Sequence, residues 1–494
     1  QFIMHNGVSF DAPFLNKLLG CNIKVSQVRD TLLESQLFNP IREGGHSLES
    51  WGKRLGFEKG DFNEFSSYSK EMLEYCIRDA ELTWKVAHQL EKEGKNFSNK
   101  SIRLEHNIRA ILDQQQKNGF AFKIREASLL LAKLEEEEKE LEEKAQDIFP
   151  PIELKLKTKT KYIPFNIASR KQIAERLKDK GWQPTLLTEK GNIIVNEKTL
   201  DACNVLEAKM FSRFFLLQKR TGLLKSWLQA CGEDDRVRGR VLTLKTITGR
   251  MAHHSPNMAQ VPAVYSPYGK ECRDLWTVSN PDTHSLVGTD ASGLELRCLA
   301  HYMNHKEYTK EVLEGDIHTV NMKLAGLQNR DQAKTFIYAF LYGAGAAKIG
   351  QVVGRNASAG GKLIKKFLNN LPELEDLKEK TQKEAEAGQV LGLDGRYLKI
   401  RHQHAALNTK LQGAGAVVCK QWLINIMKRV IVSGVDVKLV ASIHDEYQFE
   451  VNNKDITQFC TITKEAIKET TRILNMKCAL DCDYKVGKTW AMTH

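Results

Sequence analysis

An apolar strand that ends in a carboxylate is predicted by the segment Ser285-Leu-Val-Gly-Thr-Asp290-Ala-Ser-Gly-Leu-Glu295-Leu-Arg297. Short apolar runs bounded by turn residues are typical of buried strands. The Ala-Ser-Gly that follows Asp290 interrupts the apolar run, and a helix is predicted to begin beyond Ser292. The strand would therefore deliver Asp290 to one end of a sheet.

A second strand-rich segment runs from Val437 to Val451 and contains Ile443-His444-Asp445-Glu446-Tyr447 between two β-type runs. A hairpin turn there would expose Asp445. A mostly helical block, roughly residues 303–390, separates the two segments, so distant parts of the chain are predicted to form one strand-rich centre. Two carboxylates at strand ends in one sheet could share two Mg²⁺ ions, because Mg²⁺ prefers one or two carboxylates plus substrate phosphates. Such a pair suits nucleotidyl transfer.

A stripe of cations and aromatics lies in the helical block, in Arg330-Asp-Gln-Ala-Lys334-Thr-Phe-Ile-Tyr338-Ala-Phe-Leu-Tyr342-Gly343. Arg330, Lys334, Tyr338 and Tyr342 recur every four residues and therefore share one face of a helix. Two cations beside two aromatics suit a triphosphate with its sugar and base.

Each of these patterns also has a simpler interpretation when it is taken alone. An Asp at a strand end is more often a turn residue, and an Arg/Lys/Tyr stripe is more often an exposed helix face. The residues alone therefore indicate phosphoryl chemistry on a polyanion without identifying the reaction.

Length and composition are those of a multidomain globular protein. The chain has 494 residues, with 41% hydrophobic and 27% charged residues, and about 100–200 residues per domain suggests three or four domains. The net charge of +12 permits a nucleic-acid partner without proving one. The ten cysteines are scattered, which argues against a disulfide framework. No apolar run approaches the length of about 18 residues that a membrane span needs, so no membrane partner is expected.

The N-terminal half divides into two kinds of pattern. Residues 1–95 are mixed α/β, and long helices follow from about residue 98. Lys155, Lys157, Lys159 and Lys161 then alternate with Leu or Thr, which predicts an extended arm with one cationic edge. A phosphate-contacting arm and a solvated hairpin fit this pattern equally well.

Three of these segments resemble, in order along the chain, the motifs of the family A DNA polymerases, and most closely those of T7-like phage replicative polymerases. Asp290 to Arg297 is similar to motif A, Arg330 to Gly343 to motif B, and His444-Asp445-Glu446 to motif C. Thr248-Gly249-Arg250, followed by Ser255 to Pro262, is similar to the segment before motif A. The resemblance implies an α/β multidomain fold: a right-hand polymerase with an incomplete RNase H-like 3′–5′ exonuclease domain at the N-terminus.

The resemblance also implies domain boundaries. It places a partial exonuclease domain at 1–95, a thumb with a short basic arm at 96–225, a palm at 226–302 and 408–494, and fingers at 303–407.

Each residue at a matching position acquires an implied role. Asp290 and Asp445, with the backbone carbonyl of Ala291, would hold two catalytic Mg²⁺ ions. The triphosphate would be bound by His318, Arg330 and Lys334, and the deoxyribose would lie against Tyr338, with Glu295 as steric gate against a 2′-hydroxyl. The templating base would meet Tyr342, and the primer terminus would meet His444. The primer–template minor groove would be contacted by Arg250, Asn408 and Gln412. The implied reaction is addition of dNTPs to a primer 3′-hydroxyl in phage DNA replication.

Two segments near the N-terminus resemble proofreading exonuclease motifs. Asn6 to Asp11 is similar to Exo II and Tyr75 to Asp79 to Exo III, which makes Asp11 and Asp79 remnant metal ligands. The Asp-x-Glu of Exo I does not precede them in this sequence, which begins at Gln1. We therefore expect polymerisation with impaired proofreading.

The resemblance extends to partners. The stretch from Phe149 to Phe165, where the T7 enzyme carries a long thioredoxin-binding insertion, is short, so thioredoxin dependence is not expected. A replisome helicase-primase is a possible partner, and a phage-encoded enzyme would act in the cytoplasm of an infected host cell.

Three alternatives remain open at this point. A related single-subunit RNA polymerase is disfavoured by Glu295 together with Tyr338. A non-catalytic DNA-binding protein is disfavoured by the presence of all four residues Asp290, Asp445, Arg330 and Lys334. A nuclease whose polymerase domain only positions DNA is disfavoured by the missing Exo I segment.

Overall fold

The first 95 residues form a small mixed α/β unit, as predicted. The computed structural model describes residues 1–155, 160–188 and 190–494. The elements of this first unit are β1 Phe2–Met4, α1 Asp11–Leu19, β2 Val28–Asp30, α2 Thr31–Phe38, α3 Leu48–Leu55 and α4 Lys70–Glu93. Strands β1 and β2 pair in parallel, and the helices close over a core centred on Trp51, Leu82 and Leu90.

Long helices dominate the next segment. Its elements are α5 Asn99–Asn118, β3 Phe120–Phe122, α6 Ile124–Ile148, β4 Ile152–Lys155, β5 Thr160–Ile163, α7 Arg170–Asp179, α8 Glu197–Asp201 and α9 Ala208–Ala230. Gly119, at φ +62°, ends α5 in a conformation that glycine adopts at little cost. Helix α7 begins at Arg170 because the Ser169 side chain caps its first turn.

The predicted basic arm is an antiparallel hairpin in its described part. Strand β4 pairs with β5, with Lys155 opposite Thr160. Residues 156–159, which include Lys157 and Lys159, lie outside the described residues.

The centre of the chain alternates short strands with helices. Its elements are β6 Arg236–Val237, β7 Arg240–Leu242, β8 Ala252–His254, α10 Gly269–Asp274, β9 Trp276–Thr277, β10 His284–Ala291 and α11 Leu294–Met303. Strands β6, β3 and β9 form a small sheet in that order. Trp276 anchors it, because its ring packs against those of Phe122, Trp227 and Trp490.

The helical block predicted at 303–390 is present. It comprises α12 Lys306–Glu314, α13 Ile317–Ala325, α14 Arg330–Leu341, α15 Ala346–Val352, α16 Ala357–Asn369 and α17 Pro372–Glu384, followed by the hairpin β11 Gln389–Leu391 and β12 Tyr397–Lys399.

The main sheet is completed by the last part of the chain, as the sequence predicted. The remaining elements are α18 Ala406–Ser433, β13 Val437–Ile443, β14 Glu446–Asn452, α19 Ile456–Ile473 and β15 Cys482–Gly487. The strand order is β13–β14–β10–β15, and every neighbouring pair is antiparallel. Helix α18 is buried around much of its circumference, which identifies it as the central helix of the core. No helix in the described ranges is long and apolar enough to cross a membrane.

A buried ion pair joins the small sheet to the main one. The Arg236 guanidinium donates to the Glu450 carboxylate at 2.7 Å, and the backbone N–H of Ser279 donates to the same carboxylate at 3.0 Å. Burial alone would raise the pKa of Glu450, but the hydrogen bond and charge of Arg236 lower it. The ionised carboxylate is therefore favoured in the folded state.

We predict that Glu450→Gln lowers the free energy of unfolding by about 3 kcal/mol at pH 7, because it leaves the buried Arg236 charge uncompensated. Because the pKa of Glu450 is lowered in the folded state, the wild type loses the stabilisation from the ionised carboxylate as the pH falls through that pKa. The difference in unfolding free energy between wild type and variant should therefore become smaller in acid. Urea unfolding across pH measures it. The matched variant Glu465→Gln removes a half-exposed partner of Arg429 and should cost less than about 1 kcal/mol; equal losses in the two variants would contradict the assignment.

Candidate active site

Asp290 and Asp445 lie next to each other at one end of the main sheet. Strand β10 ends at Ala291, whose backbone N–H donates to the carbonyl oxygen of Asp445 at 3.1 Å. In the same ladder Asp290 lies opposite Glu446. The pairing of β10 with β14 therefore joins two carboxylates that the sequence places in separate segments.

The two carboxylates share a crowded electrostatic environment. Burial, followed by the charges of Asp445 and Glu446, raises the pKa of Asp290 to about 7, although one side of the residue is open to solvent. Burial, followed by the charge of Glu295, raises the pKa of Asp445 to about 6. Like charges at close range disfavour simultaneous ionisation, so this end of the sheet is suited to a cation.

A tight turn presents Asp445. Residues His444 and Asp445 form the two-residue connection between β13 and β14, and His444 has φ +56°. That left-handed region is uncommon for a residue other than glycine, and such strain clusters at functional sites. His444 and Asp445 line a cleft together with Arg250, Leu294 and Glu295.

A continuous chain of polar contacts crosses the cleft. Gln412 donates to the Asn408 side chain at 2.8 Å, and Asn408 donates to the backbone carbonyl of Tyr342 at 3.2 Å. The Tyr342 hydroxyl donates to Glu295 at 3.0 Å, and Arg250 pairs with Glu295 at 3.7 Å. Five residues predicted to meet nucleotide or DNA are thus assembled in one network.

Helix α14 presents the predicted cationic face. Arg330, Lys334 and Tyr338 lie within it, whereas Tyr342 follows the last helical residue, Leu341. Tyr342 caps the helix, and its backbone N–H still donates to the carbonyl oxygen of Tyr338 at 2.9 Å. The four-residue spacing of the stripe is therefore kept up to the turn at Gly343, which has φ +79°.

Arg330, one of the two cations of α14, is paired with a carboxylate. The Arg330 guanidinium donates two hydrogen bonds to the Asp316 carboxylate, at 2.7 and 3.0 Å. His318 lies beside Tyr338, with ring centroids 6.1 Å apart. Its pKa is lowered by burial and by the charges of Arg330 and Lys334, as expected for groups that share one cationic surface.

Tyr338 connects this surface to the carboxylates. Burial raises the pKa of Tyr338 to about 12, and the charges of Glu295 and Asp445 contribute in the same direction. The Tyr342 hydroxyl, directly after α14, also donates to Glu295, which lines the same cleft as Asp445. The end of α14 therefore lies beside the carboxylates of the main sheet.

The donor set suits a hard divalent cation. In the part of the chain that the structure describes, no group of three or more His, Cys, Asp or Glu side chains is arranged to hold a metal by itself. Asp290, Asp445 and the Ala291 carbonyl are oxygen donors, and Mg²⁺ characteristically binds one or two carboxylates and completes its shell with water and substrate phosphates.

Sequence reasoning missed several residues at this site. Asp316, the partner of Arg330, is signalled only as a residue that caps α13. Asp483 lies opposite Asp290 on β15 and accepts a hydrogen bond from Ser292 at 2.7 Å. Lys420 is buried in the largely apolar middle of α18, and a lysine in such a run indicates a buried, paired charge.

The residues predicted for an exonuclease lie in the N-terminal unit. Asp11 begins α1, and burial raises its pKa. Asp79 lies in α4 and pairs with Lys59 at 3.4 Å. Their assignment as metal ligands stays a prediction.

Comparison with known proteins identifies the family. A family model described as DNA polymerase family A matches residues 131–492. The DNA-directed DNA polymerases of Escherichia phage T7 and Enterobacteria phage T3 are each 30% identical to this chain, and the alignments cover 100% of it and 92% of each relative. The polymerase domain of Pol1 from M. smegmatis, in complex with DNA primer-template and dNTP, has the same fold: the TM-score is 0.80 at 19% identity, over 94% of this chain and 82% of that one. The chain therefore belongs to DNA polymerase family A and is a DNA-directed DNA polymerase.

Proposed function

We propose that the chain adds dNTPs to a primer 3′-hydroxyl under template direction at Asp290 and Asp445, with two Mg²⁺ ions. The observation that carries this proposal is the β10–β14 ladder, at the end of which Asp290 and Asp445 lie next to each other. The names of the T7 and T3 relatives and the primer-template and dNTP bound to the M. smegmatis domain support it.

Asp290, Asp445 and the Ala291 carbonyl would hold the metals. The crowding that raises the pKa of both carboxyls would be relieved by divalent cations, so the donor set fits them. When bound, the two ions would lower the pKa of the attacking hydroxyl and stabilise the charge on the leaving oxygens.

The residues across the cleft bind and orient the nucleotide. Lys334 would meet the triphosphate as a point charge and Arg330 as a planar fork, with His318 beside them. Tyr338 and Glu295 would bracket the deoxyribose, where Glu295 would exclude a 2′-hydroxyl. This selection for deoxyribose distinguishes the proposal from a single-subunit RNA polymerase.

The DNA would lie along the polar chain that crosses the cleft. Tyr342 would contact the templating base, and Arg250, Asn408 and Gln412 would contact the minor groove, where base pairs present similar acceptors. His444 would lie at the primer terminus. We assign the palm to 226–302 and 408–494, the fingers to 303–407 and the thumb to 96–225.

The biological setting follows from the phage relatives. We propose a role in phage DNA replication in the host cytoplasm, with a helicase-primase as a possible partner. The short β4–β5 hairpin between α6 and α7 is the basis for proposing that thioredoxin is not required.

Primer extension tests the carboxylate assignment directly. With Mg²⁺, dNTPs and a primed template, we expect Asp445→Ala to lower the rate by at least about 10³-fold, because a metal ligand contributes several kcal/mol to the transition state. Asp282→Ala, an exposed carboxylate just before β10, is the matched control and should extend primers normally. Undiminished extension by Asp445→Ala would refute the assignment.

Thermal unfolding tests metal binding without turnover. A raised pKa near 7 means that wild-type stability is lost as the pH rises toward that value. Asp290→Asn should therefore melt higher than wild type in EDTA at pH 8. Adding Mg²⁺ should raise the melting temperature of wild type more than that of the variant; equal Mg²⁺ responses would contradict a role for Asp290.

Asp316 should compete with the triphosphate for Arg330. Asp316→Asn retains an oxygen that can cap α13 but removes the charge that pairs with Arg330. Because an exposed ion pair contributes little, we expect KM for dNTPs to fall only modestly, by up to about fivefold. Steady-state kinetics measure it, and a KM that rises to the level of Arg330→Ala would show that Asp316 holds Arg330 in its working position instead.

A further inference from the structure

A buried charge network lies behind the cleft. The Lys420 ammonium of α18 contacts both carboxylate oxygens of Glu105 on α5, at 2.8 and 2.9 Å. Both side chains are about 1% exposed. Burial lowers the pKa of Lys420 to about 8, while the charge of Glu105 acts in the opposite direction. A carboxylate so close favours the charged ammonium, and the pair ties the central helix to α5.

A second cation balances the network. Arg396, in the turn between β11 and β12, contacts Glu105 at 2.8 Å and Asp394 at 2.8 Å and is equally buried. Two cations thus face two carboxylates. Removing one charge leaves another uncompensated, whereas removing an oppositely charged pair keeps the balance.

The network also reaches the backbone that carries Arg250. Lys420 donates to the carbonyl oxygens of Thr243 at 2.9 Å and of Gly249 at 2.8 Å, which uses the remaining donors of its ammonium. Gly249 has φ +73°, and a Cβ there would lie 3.0 Å from the Arg396 guanidinium. The segment 243–249 is therefore held at both ends by one buried side chain.

The contact of Lys420 with Gly249 bears on Arg250, the next residue along the chain. Arg250 follows Gly249 and pairs with Glu295 in the cleft. Cys419, next to Lys420 in α18, lines the same cleft as Arg250 and Asp445. A shift of the 243–249 backbone would move the Arg250 guanidinium relative to the carboxylates.

We propose that Lys420 is a positioning residue for Arg250: its buried ammonium fixes the 243–249 backbone so that Arg250 meets the primer–template in register. The proposal rests on the function proposed above, in which Arg250 contacts DNA.

The test separates positioning from stability. Lys420→Met should lower the melting temperature and weaken primer–template binding by about tenfold, the effect of losing hydrogen bonds to a preorganised segment. The double variant E105M/K420M removes both buried charges of the pair and should recover most of the melting temperature. The carbonyl oxygens of Thr243 and Gly249 still lack the Lys420 ammonium as their donor in this variant. We therefore expect its primer–template Kd to stay raised by a similar factor, with kcat at saturating DNA changed much less.

A matched control and a mutant cycle complete the experiment. Lys410→Met alters another buried lysine of α18, one that pairs with Glu384, and should leave the primer–template Kd unchanged. Combining Lys420→Met with Arg250→Ala should weaken binding no more than Arg250→Ala alone, because both act through one contact.

The possible failures are distinguishable. Recovery of the wild-type Kd in E105M/K420M would show that Lys420 only stabilises the fold. Additive effects of Lys420→Met and Arg250→Ala on the Kd would overturn the positioning role of Lys420 but leave the proposed role of Arg250 intact. An Arg250→Ala variant that binds primer–template as wild type does would overturn the proposed role of Arg250 and this inference with it.

Discussion

The pairing of β10 with β14 is the constraint on which the candidate active site depends. It brings together two segments separated by the whole helical block, and the Ala291–Asp445 backbone hydrogen bond continues it to the two aspartates. Because side chains alternate along a strand, a slip of one residue would turn Asp290 to the opposite face of the sheet. The buried apolar residues of β10 and β14 fix that register, so the core of the protein also sets the position of its carboxylates.

This arrangement has an electrostatic cost that substrate and metal would offset. Burial, followed by the negative charges of Asp445, Glu446, Asp483 and Glu295, raises the pKa of Asp290. The compensating cations lie across the cleft on α14, where Arg330 is held by Asp316. A carboxylate in that position presents two oxygens to the guanidinium, as a phosphate would. Asp316 therefore neutralises part of the positive charge of α14.

The sequence predicts the parts of this site that follow from local periodicity. Strand ends, the hairpin at His444 and the stripe from Arg330 to Tyr338 could all be located, because each is set by residues close together in the chain. The turn of the chain at Gly343, directly after Tyr342, depends on a backbone conformation that periodicity does not encode. The Asp316–Arg330 and Glu105–Lys420 pairs could not be found either, because no local pattern specifies which charges meet after folding. Two-residue strands such as β6 and β9 are too short to show alternation.

The buried charge in the centre of α18 also explains how a wall of the cleft can face solvent and still be held in a fixed position. Apolar packing alone would hold α18 against α5 without fixing the direction in which neighbouring loops leave the core. The Lys420 ammonium has directional donors, and its contacts with Glu105, Thr243 and Gly249 leave little freedom to slide. Replacing such a pair with hydrophobic residues is often neutral for stability, so its value to this enzyme lies in geometry. The contacts of Lys420 with Thr243 and Gly249 thus hold the backbone that leads to Arg250, which pairs with Glu295 in the cleft.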